Sequence, residues 1–245
     1  MKKPDMRITG AGEPTLLFVH GYACAHDNWD RQLDALSANF HCIALDLPGH
    51  GQSPIPDTVS VGVLAEAVSS VKERVGGNKV VLVGHSMGCR VVAEAYRQSP
   101  DKVVGLVFVD GSRFTGDPDV AITLTRDAAN GGDPNTQPQP ARAPSLRRKF
   151  RDDLALRVLH WDLEEAETAV KQIAVPVLVL QSTNIGDDLE RTPLQLGMTT
   201  PWMDLIAALV PQSEAKIITG SGHFIMIDAP QALNDEVAKF AAKLG

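Results

Sequence analysis

The chain has 245 residues, of which 44% are hydrophobic and 22% are charged, and its net charge at pH 7 is −7. This composition is ordinary for a soluble globular protein, and the length suits one domain with a sizeable core. The negative charge gives no reason to expect binding to nucleic acid or to an anionic membrane, and no apolar run is long enough to span a bilayer. Cys24, Cys42 and Cys89 lack metal-ligand spacing and no signal peptide is visible, so we expect a cytoplasmic protein.

Short apolar runs alternate with helical patterns along most of the chain, and several of these runs are apolar at every position. A strand that is apolar on both faces is typical of a parallel sheet covered by helices on both sides. The predicted strands cover residues 15–20, 41–46, 79–83, 104–109, 176–181 and 215–219. The predicted helices cover residues 28–37, 61–75, 87–98, 200–210 and 232–244. This order predicts an α/β fold with a doubly wound, mostly parallel sheet.

The alternation is interrupted between residues 113 and 174, where two helical patterns, at 118–130 and 145–170, flank a loop. Four prolines and two glycines at 131–144 exclude a helix or an inner strand in that loop. In open α/β sheets, ligands bind at the carboxyl ends of the strands, where such an insertion leaves the sheet. We therefore expect a core formed by 1–112 and 175–245, with a helical cap formed by 113–174.

The sequence Gly84-His85-Ser86-Met87-Gly88 lies between a predicted strand and a predicted helix. A Gly-x-Ser-x-Gly motif in that context is typical of a nucleophile elbow, a tight turn that exposes the serine hydroxyl above the sheet. Small residues two positions before and after the serine let the helix pack close to the strand. The motif therefore predicts Ser86 as a nucleophile.

A serine hydroxyl is a weak nucleophile at neutral pH and needs a base within hydrogen-bond reach. His223 lies in a glycine-rich segment directly after the last predicted strand, where a loop can hold an imidazole over the sheet. The chain order, with the serine early and the histidine near the carboxyl end, is the order expected for this architecture. We therefore predict His223 as the base.

The oxyanion formed by attack on a carbonyl needs backbone N–H donors that are already in place. The elbow supplies one of them, the N–H of Met87 at the start of the helix. The second donor is expected in the loop after the first strand, which contains His20-Gly21-Tyr22-Ala23. We predict the N–H of Tyr22 as this donor and that of Ala23 as the alternative.

Several motifs occur together in one order along the chain, from about residue 16 to residue 240, and they resemble the α/β-hydrolase fold superfamily. They are His20-Gly21, Trp29, the segment Asp46-Leu47-Pro48-Gly49-His50-Gly51-Gln52-Ser53, the Ser86 elbow and Gly222-His223-Phe224. The resemblance is narrower to capped, single-domain bacterial hydrolases such as carboxylesterases. It implies a catalytic triad and specifies the fold more strongly than the substrate.

The acid of the triad is the point at which this sequence departs from its relatives. Relatives usually place the acid at the position that matches Ile185, so Asp187 and Asp188, in a longer loop, are two candidates. In some relatives the acid follows the preceding strand, and here Asp110 follows the strand at 104–109. We predict Asp110 as the acid and keep Asp187 and Asp188 as alternatives.

These residues predict a serine hydrolase that cleaves small to medium carboxylic esters through an acyl-enzyme, with no metal or organic cofactor. A serine at the elbow, where dehalogenases and epoxide hydrolases of this fold have a carboxylate, argues against those reactions. One alternative is a carbon–carbon bond hydrolase acting on products of aromatic-ring cleavage, which needs cationic groups in its pocket. Another, from a different class, is a small-molecule receptor whose intact triad turns over slowly. The sequence does not predict an oligomeric state.

Overall fold

The computed structural model describes residues 4–75, 77–112, 148–183 and 198–245. Within these residues seven strands form one sheet in the order β1-β3-β2-β4-β5-β6-β7. The strands are β1 (Met6–Thr9), β2 (Thr15–Val19), β3 (Cys42–Leu45), β4 (Val80–His85), β5 (Val103–Val109), β6 (Val177–Ser182) and β7 (Ser213–Ile218). Only β1, at one edge, is antiparallel to its neighbour, and the other pairings are parallel. The predicted α/β fold with a mostly parallel, doubly wound sheet is confirmed.

The described helices cover both faces of the sheet. A 3₁₀ turn at His26–Trp29 leads into the first of them. They are α1 (Asp30–Leu36), α2 (Val61–Val75), α3 (Met87–Gln98), α4 (Arg148–Glu164), α5 (Ala166–Lys171), α6 (Pro201–Leu209), α7 (Ile225–Asp228) and α8 (Pro230–Ala242). One apolar core joins the sheet to α2, α3 and the helices α4 to α6, and a second core joins the other face to α1, α7 and α8. Strands β2 to β6 are buried along nearly their whole length because both of their faces are covered.

Three elements differ from the prediction made on the sequence, and one of them is the short helix α7, which was not predicted. Strand β1 was not predicted, because its four residues are half-buried or exposed and carry no continuous apolar run. The helical pattern at 145–170 is divided into α4 and α5 near Glu165. The predicted helix at 118–130 and the loop at 131–144 lie outside the described residues.

Helix α4 is held against α3, the helix that follows the elbow, by buried polar contacts. The Arg90 guanidinium donates to both carboxylate oxygens of Asp162, from Nε at 2.7 Å and from the terminal nitrogen at 2.6 Å. One turn further along α3, Glu94 accepts a hydrogen bond from the Trp161 indole at 3.2 Å. A buried ion pair with two parallel hydrogen bonds fixes the orientation of its partners. Helix α4 therefore has a defined position beside α3.

No helix within the described residues combines the length and the apolar character that crossing a bilayer requires.

Candidate active site

The parallel strands end at the same edge of the sheet, and four of the loops that leave this edge carry the predicted site residues. Strand β2 leads to Gly21, β4 to Ser86, β5 to Asp110, and β7 to the loop with His223. Because β2, β4, β5, β6 and β7 lie in this order, the loops come together above the middle of the sheet. This edge is where open α/β sheets bind ligands.

Ser86 lies in a strained turn between β4 and α3. Its φ of 52° and ψ of −116° are outside the regions that non-glycine residues normally adopt. The two flanking glycines are required by close packing, since a Cβ on Gly88 would lie 2.8 Å from the His20 carbonyl oxygen and a Cβ on Gly84 would lie 2.8 Å from the Cys89 nitrogen. The segment therefore has the strand–turn–helix geometry of a nucleophile elbow.

A continuous chain of hydrogen bonds joins Ser86, His223 and Asp110. The Ser86 Oγ lies 3.0 Å from Nε2 of His223, and Nδ1 of the same ring lies 2.6 Å from Oδ2 of Asp110. A carboxylate can only accept, so Nδ1 carries a proton and Nε2 is the free acceptor of the neutral ring. The imidazole is therefore oriented to take the proton of the Ser86 hydroxyl.

Asp110 is 3% exposed and has a φ of 47°, which turns its side chain out of the β5 direction. Burial by itself would raise the pKa of this carboxyl, but hydrogen bonds from His223 and Ser182 outweigh that effect and lower the pKa below its ordinary value. Asp110 therefore stays ionised at neutral pH although water does not reach it. The alternatives Asp187 and Asp188 lie outside the described residues.

The loop after β2 passes directly beside the elbow. A Cβ on Gly21 would lie 2.9 Å from Nδ1 of His85 and 3.1 Å from the Ser86 Cβ, so a larger residue here would displace these side chains. The loop turns at Ala23, which has a φ of 57°, and the Cys24 N–H donates to the Gly21 carbonyl at 3.3 Å. Met87 is the first residue of α3, so its N–H has no partner within the helix. Tyr22 and Met87 thus lie on the two backbone segments that border Ser86.

Three further loop contacts hold the segment that carries His223. The Gly220 N–H donates to the Thr183 hydroxyl at 3.0 Å, and the Gly222 N–H donates to the Asp228 carboxylate at 2.9 Å. The His85 ring donates from Nε2 to the His223 carbonyl oxygen at 2.8 Å. These contacts were not predicted from the sequence, and two of them join residues that lie 37 and 138 positions apart along the chain.

Two other histidines hold turns through hydrogen bonds. His20 accepts the Leu47 N–H at Nε2 and bonds the Gly21 carbonyl at Nδ1, and His50 bonds the Pro48 carbonyl. Burial lowers the pKa of His20 to about 3 and that of His50 to about 4. Both rings are therefore neutral and structural.

Within the described ranges, one group of side chains has metal-ligating geometry, and it does not include the Ser86 cluster. Its members are Asp5, His26 and Asp46, whose ligand atoms lie within 4.8 Å of one another. The Asp46 carboxylate already accepts the N–H groups of His26 and Gln52, each at 2.7 Å. This carboxylate therefore holds the turn at 46–53.

Two known proteins are similar to this chain over nearly its whole length, one in sequence and one in fold. A pimeloyl-[acyl-carrier protein] methyl ester esterase from Yersinia enterocolitica is 23% identical over 98% of both chains. The fold is similar to that of a thermophilic esterase from Thermogutta terrifontis, with a TM-score of 0.77 and 20% identity over 98% of this chain and 93% of that one.

Other matches cover only part of a longer protein. The acetyltransferase component of an acetoin cleaving system from Cupriavidus necator is 38% identical over 106 residues, which are 43% of this chain and 28% of that protein. This chain also spans 7%, 47% and 65% of the length of three further curated relatives. The sequence model described as "Alpha/beta hydrolase family" matches residues 16–236, which include the elbow, Asp110 and His223. The chain is thus a member of the alpha/beta hydrolase family.

Proposed function

We propose that this protein is a serine hydrolase that cleaves small to medium carboxylic esters through an acyl-enzyme. The observation that carries the proposal is the continuous hydrogen-bonded chain from the Ser86 hydroxyl through His223 to the buried Asp110 carboxylate. A nucleophile, a base and a group that orients the base are the parts that acyl transfer needs.

In the proposed reaction, Nε2 of His223 takes the hydroxyl proton as Ser86 Oγ attacks the ester carbonyl. The imidazolium that forms is stabilised by Asp110 and then gives its proton to the leaving alcohol. Water next loses a proton to His223 and attacks the acyl-enzyme, and Ser86 leaves with the proton returned from the imidazolium. The His223 side chain is 34% exposed, so substrate and water can reach it.

The oxyanion is proposed to accept hydrogen bonds from the N–H groups of Met87 and Tyr22, with Ala23 as the alternative to Tyr22. The position of Met87 at the start of a 12-residue helix supports this role, because the N-terminal N–H groups carry the positive end of the helix dipole. The approach of Gly21 to Ser86 supports a second donor from the loop after β2. Each such donor contributes about 3–4 kcal/mol to the stability of the transition state.

Residues 113–174 are proposed to form the helical cap that shapes the substrate pocket. The insertion starts three residues after Asp110, at the active-site edge of the sheet. Phe150 at the start of α4 lies on the turn at Gly49, and Asp162 near its end pairs with Arg90. Ester cleavage is named in the Yersinia relative and supports an ester as substrate here.

A substrate panel tests the proposal. We expect the wild-type protein to hydrolyse short and medium p-nitrophenyl esters over many turnovers and Ser86→Ala to lose this activity to the background rate. A serine-directed fluorophosphonate should add one adduct to the wild type and none to the variant, as measured by intact mass. Faster cleavage of a ring-cleavage dienone than of any ester, or ligand binding without turnover, would contradict the ester assignment.

A further inference from the structure

The carboxyl end of β6 lies beside Asp110 and offers hydrogen-bond donors to it. Strands β5 and β6 pair in parallel with Val109 opposite Leu180, and the Asp110 N–H donates to the Leu180 carbonyl at 2.7 Å. Asp110 and Gln181 therefore leave the paired region side by side. Relatives commonly carry the acid on the loop after this strand, whereas here the strand end itself contacts an acid from β5.

The two oxygens of the Asp110 carboxylate have different partners. Oδ2 faces Nδ1 of His223 at 2.6 Å. Oδ1 accepts the Ser182 N–H at 2.8 Å and a short hydrogen bond from the side-chain amide nitrogen of Gln181. Two donors on one oxygen fix the rotation of the carboxylate about its Cβ–Cγ bond. The other oxygen is consequently held toward the histidine.

Packing does not explain the amide at position 181. Gln181 is 3% exposed, and its Oε1 is a buried atom without a hydrogen-bond partner within the described part of the chain. A buried amide oxygen without a donor destabilises the folded state, a penalty that an apolar side chain of the same size would avoid. The amide nitrogen, in contrast, donates to the one carboxylate that orients the base.

We propose that Gln181 is a positioning residue that holds the Asp110 carboxylate so that its Oδ2 faces Nδ1 of His223. The inference rests on the proposed function, since it assigns to Gln181 a role in the triad described there. Gln181 acts through Asp110 and does not reach the reacting atoms. Its loss should therefore lower kcat and leave KM nearly unchanged.

Two substitutions that keep the size of the side chain show whether the hydrogen-bond donor of Gln181 or its volume is what matters. Gln181→Met keeps the length of the side chain and removes the donor. We expect its kcat on a p-nitrophenyl ester to fall about 10- to 100-fold, as misplacement of a catalytic group does, with KM within about twofold of wild type. Gln181→Glu restores a donor only while the new carboxyl is protonated. Because burial beside Asp110 favours that protonated form, this variant should be more active than Gln181→Met at pH 6 and lose the advantage as the pH rises.

A second buried glutamine, whose amide donates to none of the three triad residues, provides the control. Gln32 is fully buried and donates from its amide to the Met226 carbonyl at 3.2 Å, so Gln32→Met makes the same chemical change elsewhere. We expect the control to lose stability and to keep its kcat, with unfolding followed by circular dichroism for all variants. Wild-type kcat in Gln181→Met, or a loss no larger than in the control, would overturn the proposal.

Asp110→Asn measured in the same assay distinguishes failure of the inference from failure of the proposed function. If Asp110→Asn is inactive and Gln181→Met is fully active, only the role of Gln181 is wrong. If Asp110→Asn is fully active, the assignment of the triad acid is wrong.

Discussion

The orientation of one buried carboxylate decides which nitrogen of His223 faces Ser86. Asp110 accepts a hydrogen bond from the Nδ1–H group, so the lone pair of the neutral ring is on Nε2, 3.0 Å from the Ser86 hydroxyl. If an amide replaced the carboxylate, its NH₂ group could donate to Nδ1 and favour the other tautomer, whose Nε2 carries a proton and cannot act as a base.

Asp110→Asn is therefore expected to lower kcat by about 10⁴-fold, since the geometry is kept while the tautomer is wrong. Ester hydrolysis at saturating substrate measures this effect, and thermal unfolding checks that the variant is folded. Asp187→Asn and Asp188→Asn are the matched controls and should keep the wild-type rate. A large loss in either control, with Asp110→Asn active, would assign the acid to the loop after β6.

The residues of the site differ in how far the sequence predicts them. Ser86 is indicated by five consecutive residues, and His223 by its glycine-rich segment after a strand. The choice of Asp110 depends on which loop reaches His223, and that depends on the pairing of β5 with β6 and on the left-handed backbone at Asp110. The contacts of the Gln181 and His85 side chains were not predicted, because the residues around a strand end do not show which distant atom a buried polar group reaches.

At the scale of elements, the fold was predictable because the central strands are apolar on both faces and each is followed by a helix. Strand β1 was missed because an edge strand with one neighbour needs no continuous apolar run. The contact between β4 and α3 was also indicated, since Gly84 and Gly88 leave room for the tight turn. A methyl group on Gly88 would overlap the backbone carbonyls of Val19 and His20, which cannot move without displacing β2.

We expect Gly88→Ala to lower the free energy of unfolding by about 1–3 kcal/mol, the usual cost of overpacking a core, and to reduce ester turnover. Gly62→Ala in the first turn of α2 is the control. A Cβ there meets only ordinary contacts at 3.4 and 3.5 Å, so alanine should stabilise the protein by about 0.4–1 kcal/mol. Urea unfolding measures both changes. Equal stability in the two variants would show that the backbone around Gly88 can move.

For the whole molecule, buried histidines link stability to pH. His20, His50 and His85 are each at most 2% exposed. Burial is the main cause that lowers their pKa values, to about 3 for His20 and His85 and to about 4 for His50. Their ordinary value is 6.5, so the unfolded chain binds protons in a range where the folded protein does not. His26 has the opposite effect, because its hydrogen bond with Asp46 raises its pKa.

These pKa shifts determine whether the free energy of unfolding rises or falls with pH. A histidine with a lowered pKa makes its full contribution to the free energy of unfolding above pH 6.5. That contribution is lost as the pH falls toward the pKa of the folded state. Three histidines have a lowered pKa and one, His26, has a raised pKa. We therefore expect the urea concentration at half-unfolding to stay constant between pH 7.5 and 8.5 and to fall between pH 7 and pH 5. The loss is on the order of 1–2 kcal/mol for each buried histidine. His50→Asn keeps a donor near the Pro48 carbonyl, cannot ionise, and should make the pH dependence shallower. A midpoint that does not change down to pH 5 in the wild type would mean that these rings accept protons without unfolding.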